Sequence, residues 1–381
     1  MKKILLMIPH LNKGGAERVV MDLANYLSDD FDITILIFTK GDQEKFNVNL
    51  LSKNVKIKYL FNWRLKFQSL TERFYNKLLY LFSPFIAMYL LLSLKKEKFD
   101  IIHSNLTIAS LYNFLFKILS KTINYKFCAI ETFHTNWFLL KWYNKIIFSL
   151  SWRVMDKIVW EIGNEEKTIQ KYAAKHKVHY IPFSVASAPN LAPTNIKKIG
   201  KRFQIPQNKT IIGTISRLRL MEKRIDKMLE VIKYLNNNHD QYHLVLFGDG
   251  SDRKEIERLI NQMGINNQCT ITGYVDNPEQ IVNLIDIYLV AMVGSYTGVS
   301  GLQAGKAGIP CFGIQLLKNY RYADDHVLFS SSDAHEISDK ILKYTEARRL
   351  NDYSKKFTNH IDSYHKPERF REGYLKIYNE S

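Results

Sequence analysis

Cysteine is scarce in this sequence: Cys128, Cys269 and Cys311 are the only three among 381 residues. Their odd number, wide spacing and apolar or strand-like settings exclude a disulfide framework and a zinc site, and fit reduced thiols of a cytosolic protein. Long apolar runs are missing as well. The run Leu78 to Leu94 stays free of charge for 17 residues, short of the roughly 20 that cross a bilayer, and Pro84 falls inside it. A transmembrane helix is therefore not expected. Nor is a secretory leader, because MKKILLMIPHL passes from two lysines straight into a short β-like run. Acidic residues are the third shortage, with 37 Asp and Glu against 54 Lys and Arg and a formal net charge of +17.

That positive excess is unevenly placed. Residues 1–190 carry 27 basic against 15 acidic residues, and the remainder carry 27 against 22. A basic half suits a partner of negative charge, either nucleic acid or anionic lipid. No RNP, KH, helix-turn-helix or zinc-finger pattern accompanies the charge, so no nucleic-acid partner is expected. With 46% apolar and 13% aromatic residues the chain has material for packed cores, and its length suits two domains.

The first half opens with a buried strand at Ile4 to Pro9, a turn at LNKGGAER and a helix whose inner side is Ala16, Val19, Val20, Leu23, Ala24 and Leu27. Further strands read at Phe31 to Phe38, Val55 to Leu60, Phe99 to His103, Cys128 to His134, Val154 to Ile162 and Val178 to Val185. The opening lacks the G-x-G-x-x-G spacing and the later acidic residue of a dinucleotide site, so NAD is not expected. Leu78 to Leu94, flanked by Lys77, Lys95, Lys96 and Lys98, fits either a buried helix or one that enters the membrane interface. Phe138 to Val154 repeats the mixture of aromatics with Lys141, Lys145 and Arg153. Two such segments in the basic half favour contact with an anionic membrane surface.

Residues 187–209, with Pro189, Pro193 and Pro206, read as a linker between a domain at 1–186 and another at 210–365. The second domain opens on TIIGTISRL and runs into RLRLMEK before a helix at Arg224 to Leu235. Strands follow at Gln241 to Gly250, Cys269 to Tyr274 and Asp286 to Met292. The last of these feeds SYTGVSGLQAGKAGIPCFGI, where a small-residue turn opens a helix. Amides of Gly298, Val299 and Ser300 at that helix start, together with its dipole, favour phosphate oxygens. Asp249, Asp252, Asp324 and Asp325 form neither a calcium loop nor a D-x-D strand end, so no metal is expected.

Taken in order, GGAER, the strand-ending His134, Arg217 with Lys223, GDG and the Gly298 to Pro310 loop resemble the retaining glycosyltransferases of family 4. The resemblance implies a GT-B fold, α/β, with two Rossmann-like parallel-sheet domains facing each other across a cleft. It implies that the last helix, Lys366 to Tyr378, packs back on the first domain. It implies transfer of a sugar from a nucleoside-diphosphate sugar to a lipid-linked glycan of a bacterial surface polysaccharide, at the inner face of the membrane and without a metal. By the same resemblance His134 reaches the donor sugar, Arg217 and Lys223 hold the diphosphate, and Gly14, Gly15, Gly248, Tyr274, Val275, Gly298 and Val299 line the donor site. Arg219 competes with Lys223, because the Arg217 to Lys223 spacing is one longer than usual. The family's two glutamates are replaced, with Ser295 at the first and Gln303 at the second. A GT-B pseudoenzyme supporting another transferase is the alternative that this replacement keeps open.

Overall fold

Short apolar runs that end in small or polar residues become parallel strands in the computed structural model, which describes residues 1–12, 14–39, 48–60, 77–161, 165–185, 191–237, 241–275, 278–292, 297–316, 327–346 and 350–381. The chain divides into two units, Met1–Ser184 with Pro367–Ser381, and Val185–Lys366. The first unit contains β1 (Lys3–Ile8), α1 (Gly15–Leu27), β2 (Asp32–Ile37), β3 (Lys56–Tyr59), α2 (Ser83–Glu97), β4 (Ile101–Asn105), α3 (Thr107–Leu119), β5 (Cys128–Phe133), α4 (Trp142–Val154), β6 (Lys157–Trp160), α5 (Glu166–Ile169) and β7 (Val178–Tyr180). Its seven strands lie in the order β3-β2-β1-β4-β5-β6-β7. The order reverses direction between β1 and β4, and open α/β sheets bind ligands at the carboxyl ends of strands beside such a switch.

Alternation along the strands divides this sheet into two faces. Leu5, Met7, Ile102, Ala129, Phe133, Ile158 and Trp160 share one core with Leu91 of α2, Tyr112 and Phe116 of α3 and Phe148 and Trp152 of α4. Pro84 stands in the first turn of α2, where its fixed φ and missing N–H are tolerated. It starts a new helix just after a turn at Phe82, so the run Leu78 to Leu94 is broken near Pro84 as the sequence suggested. Among the described residues no helix is long and apolar enough to cross a membrane.

The outer stripes of α2 and α4 remain apolar. Phe85, Tyr89 and Trp142 are 77%, 75% and 74% exposed, and Leu81, Phe138, Ile146 and Leu150 are exposed beside them. Lys95 and Lys96 occupy the last turn of α2, and Arg153 the last turn of α4.

The second unit contains α6 (Pro193–Arg202), β8 (Thr210–Ile215), α7 (Ile225–Leu235), β9 (Tyr242–Phe247), α8 (Arg253–Met263), β10 (Cys269–Gly273), α9 (Pro278–Ile281), β11 (Ile287–Met292), α10 (Gly298–Lys306), β12 (Cys311–Gln315), β13 (Phe329–Ser331), α11 (Ala334–Glu346) and α12 (Leu350–Tyr364). Its sheet runs β10-β9-β8-β11-β12-β13, with the switch between β8 and β11. The stretch expected as a linker carries α6, which begins on Pro193 in a position suited to a helix start. The last helix, α13 (Pro367–Asn379), belongs to the first unit and buries Phe370, Tyr374, Ile377 and Tyr378 there. It packs on α1, where Tyr26 meets Phe370 edge to face at 6.2 Å.

Candidate active site

In the second unit the candidate residues sit on loops that leave the carboxyl ends of β8, β9, β10 and β11. The loop after β8 carries Arg217, whose exposed guanidinium has no ion-pair partner among the described residues. Arg219 is engaged instead, donating to Ser251 Oγ at 2.7 Å and lying 3.7 Å from Asp252. Among the described residues the one ion-pair partner of Lys223 is its neighbour Glu222 at 3.5 Å. An exposed guanidinium and a half-exposed ammonium are available to an anion; Arg219, already paired, is less so.

Why this loop holds its place follows from the glycines of the next one. A Cβ at Gly248, whose φ is +147°, would lie 1.9 Å from the Ser216 carbonyl oxygen. One at Gly250 would lie 2.3 Å from that of Leu218. Only glycine lets the two backbones approach this closely, and the approach is fastened by Leu218 N–H donating to Asp249 O at 3.0 Å and Leu220 N–H to Asp252 Oδ2 at 3.0 Å. Gly273 (φ +75°) ends β10, leaving Tyr274 46% exposed and Val275 buried.

The helix α10 begins at Gly298, whose φ of +74° meets no neighbour within 4 Å. The side chain of Thr297 makes no capping bond to it, so the first amides of α10, including that of Val299, are not satisfied from that residue. Gln303 is half-buried on the same helix. Gly305 is filled from outside by Phe357 of α12, 1.9 Å from where a Cβ would stand. Ser295 lies outside the described residues. A guanidinium, an ammonium and the first amides of a helix at adjoining strand ends suit a diphosphate.

In the first unit, Gly14 caps α1 in an extended conformation, and a Cβ there would meet the Glu17 carboxylate at 2.2 Å. Glu17 is buried and lies 3.1 Å from His10 Nδ1. Gly15 opens the helix beside Gly14.

His134 follows β5. Its imidazole side chain is only 3% exposed, with Nδ1 2.7 Å from Glu161 Oε2 and Nε2 2.8 Å from Asn105 Oδ1. Both ring nitrogens are engaged within the unit, so the ring is held in one plane. The sequence reading missed Asn105 and Glu161. Asn105, His134 and Glu161 each end or follow a strand, at positions of one parity with His103, Thr132 and Val159, but they converge only once the β4-β5-β6 order is known.

Glu131 and the three thiols also show perturbed acidity. Burial pushes the Glu131 carboxyl up to about 7, against the opposing hydrogen bonds of Ser151, Trp152 and Ser110. Burial also raises all three thiols, that of Cys269 to about 12, which makes them poor nucleophiles. Among the described residues no group of three or more His, Cys, Asp or Glu could hold a metal ion.

Residues 13–188 match the family described as Glycosyltransferase Family 4, and residues 195–360 match Glycosyl transferases group 1. The chain is 27% identical over 282 residues to the Campylobacter jejuni GalNAc-alpha-(1->4)-GalNAc-alpha-(1->3)-diNAcBac-PP-undecaprenol alpha-1,4-N-acetyl-D-galactosaminyltransferase, covering 74% of this chain and 70% of that one. It is 22% identical over 320 residues to the Escherichia coli O-antigen biosynthesis glycosyltransferase WclY, covering 81% and 78%. Among solved structures, Anabaena HepE in complex with UDP-glucose superposes with a TM-score of 0.80 at 13% identity over 100% of both chains.

Proposed function

The chain belongs to the family 4 glycosyltransferases of GT-B fold, and from that premise we propose that it moves a sugar from a nucleoside-diphosphate sugar to a lipid-linked glycan in bacterial surface-polysaccharide synthesis, with retention at the anomeric carbon. One observation carries the reading. The loops after β8 and β11, neighbours at the sheet's switch point, bear Arg217, Lys223 and the uncapped start of α10. A departing nucleoside diphosphate gains negative charge as the glycosidic bond to its phosphate oxygen breaks, and fixed cations and amide dipoles stabilise that charge before it forms. The acceptor hydroxyl bonds to the anomeric carbon from the face that the leaving group vacates and gives its proton to the departing phosphate oxygen. His134 serves the transfer step as the residue that orients the sugar. No metal enters the scheme, because the two cations and the helix amides supply the charge. Gln303 is proposed to hydrogen-bond the ribose without the charge assistance of a glutamate.

The lipid-linked acceptor is suggested by the Campylobacter relative, whose name carries PP-undecaprenol. The apolar stripes of α2 and α4 with their flanking lysines and arginine are proposed to rest on the anionic inner face of the membrane, apolar side chains in the interface and cations at the headgroups. The test is transfer from a panel of nucleotide sugars to polyprenyl-diphosphate-linked saccharides, with the anomeric configuration of the new bond read by NMR. Retention is expected; inversion would overturn the proposed stereochemistry, and no transfer from any donor would favour a pseudoenzyme.

A further inference from the structure

We propose that Tyr374, on the last helix of the chain, is a positioning residue that sets the plane of the His134 ring through Glu161; the consequence for catalysis rests on the role given to His134 above. The observation is a buried chain of hydrogen bonds inside the first unit. Tyr378 Oη lies 2.7 Å from His103 Nδ1, His103 Nε2 lies 2.7 Å from Thr132 Oγ1, and Thr132 Oγ1 lies 3.1 Å from Tyr374 Oη. Tyr374 Oη donates to Glu161 Oε1 at 3.2 Å, and Glu161 Oε2 meets His134 Nδ1 at 2.7 Å. Every member is buried, with His103, Thr132, Tyr374 and Tyr378 at 0% exposure and Glu161 at 2%.

Proton counting gives the chain one direction. Tyr374 has a single hydroxyl proton, and it goes to Glu161. Thr132 must then donate to Tyr374, which obliges His103 to donate from Nε2 to Thr132. The remaining His103 nitrogen, Nδ1, accepts from Tyr378. This needs a neutral His103 with one proton, and burial, aided by the nearby His134, lowers its pKa to about 3. Burial likewise holds both tyrosines in their protonated forms, well above the usual phenol range. The four donors, Tyr378, His103, Thr132 and Tyr374, point along one path whose end is the carboxylate beside His134.

The physical consequence is specific. A carboxylate held at one oxygen by His134 alone can swing about its last torsion, which loosens the Nδ1 side of a ring that Asn105 holds at Nε2. The Tyr374 hydroxyl on the other oxygen removes that freedom. Partners of this kind, one shell out from a working histidine, fix its tautomer and plane. Because Tyr374 belongs to α13, the helix after the second unit fastens a residue of the first at the working end of β5.

The experiment uses the full chain with Y374F, H134Q, the double variant and F370L, a buried change on the same helix outside the hydrogen-bond chain. Y374F is expected to lower kcat about tenfold with donor KM nearly unchanged, the scale on which a lost second partner disturbs a histidine. The double variant should be no slower than H134Q alone, as for two residues acting as one unit. Independently of turnover, the Nδ1–H resonance of His134 in a nitrogen-correlated spectrum should move in Y374F and stay in place in F370L, even though F370L lowers Tm. An unmoved resonance in Y374F, or losses that add in the double variant, would overturn the proposal while wild-type turnover still upheld the transferase. An H134Q enzyme of full speed would overturn it as well, by removing the ring from the reaction.

Discussion

Glu131 is the residue whose cost to the fold is easiest to read. Its carboxyl sits under α4, accepting from Ser151 and from Trp152 Nε1 at 2.8 Å, yet burial still leaves it harder to ionise than in the unfolded chain. Its folded pKa of about 7 stands above the ordinary carboxyl value of 4.5, so between those values the native state binds more protons and stability falls as pH rises. Replacing it by glutamine keeps the shape and removes the charge. Glu131→Gln should therefore stabilise the protein at pH 8 by about 1–3 kcal/mol, with the gain fading below about pH 4.5. Chemical denaturation at the two pH values reads this directly, and an equal gain at both would show that the charge is not the cause. Residues of this kind were hard to read from sequence. CAIETFH marks a strand ending in a histidine, but which neighbour engages that histidine depends on strand order, and the β4-β5-β6 adjacency that supplies Asn105 and Glu161 appears only in the folded sheet. Arg219 competes with Lys223 in the sequence, and only the fold shows the turn at Ser251 and Asp252 engaging Arg219.

At the scale of elements, the turn after β9 governs the loop after β8. Gly250→Ala would push a methyl group against backbone at Leu218, with no flexible side chain to give way. A loss of about 1–3 kcal/mol is expected from such overpacking, accompanied by weaker nucleoside-diphosphate binding because Arg217 rides on the displaced loop. A Gly250→Ala protein that binds nucleotide as well as the parent would show that the loop's place is set elsewhere. The helices α2 and α4 make a different prediction. Because Phe85 and Trp142 are mostly in solvent, Phe85→Ser and Trp142→Ser together should change folding stability by about 0.5 kcal/mol or less each. Co-sedimentation with phosphatidylglycerol vesicles should fall at least tenfold in the same double variant, and binding should weaken with salt. Unchanged sedimentation would remove these stripes as a membrane face. The sequence showed that both segments were apolar and basic, whereas which side faced the sheet was settled by α3, against which α2 and α4 both pack. Pro84 was legible for a related reason: a residue that cannot sit in a helix interior begins one at its first turn, and the run Leu78 to Leu94 is interrupted at Phe82 just before it.

At the scale of the whole molecule, strand–loop–helix repetition was legible throughout, because buried parallel strands are short apolar runs and their helices carry a distinct periodicity. The two sheets have the central strands that this repetition implies, β1 with β4 and β8 with β11. What composition could not supply was membership across long distances in sequence. Tyr374 and Tyr378 read as the inner side of a terminal helix, and nothing local tells that their hydroxyls enter a hydrogen-bonded row with His103 and Thr132. The basic excess of residues 1–190 belongs to the unit with the exposed apolar stripes, while the diphosphate candidates belong to the other. Charge in this chain thus serves two proposed partners, a lipid surface and a nucleotide sugar, from separate units.

The central claim is a nucleoside-diphosphate site built on Arg217, Lys223 and the start of α10. Calorimetric titration of the full chain with UDP, GDP, ADP and CMP, repeated on Arg217→Ala/Lys223→Ala, tests it most directly. One diphosphate should bind saturably and raise the melting temperature by mass action. Loss of two charged contacts of about 1.5–3 kcal/mol each should weaken that binding at least a hundredfold, without altering the melting temperature of the free protein by more than a few degrees. Equal affinity in the parent and the double variant would contradict the account.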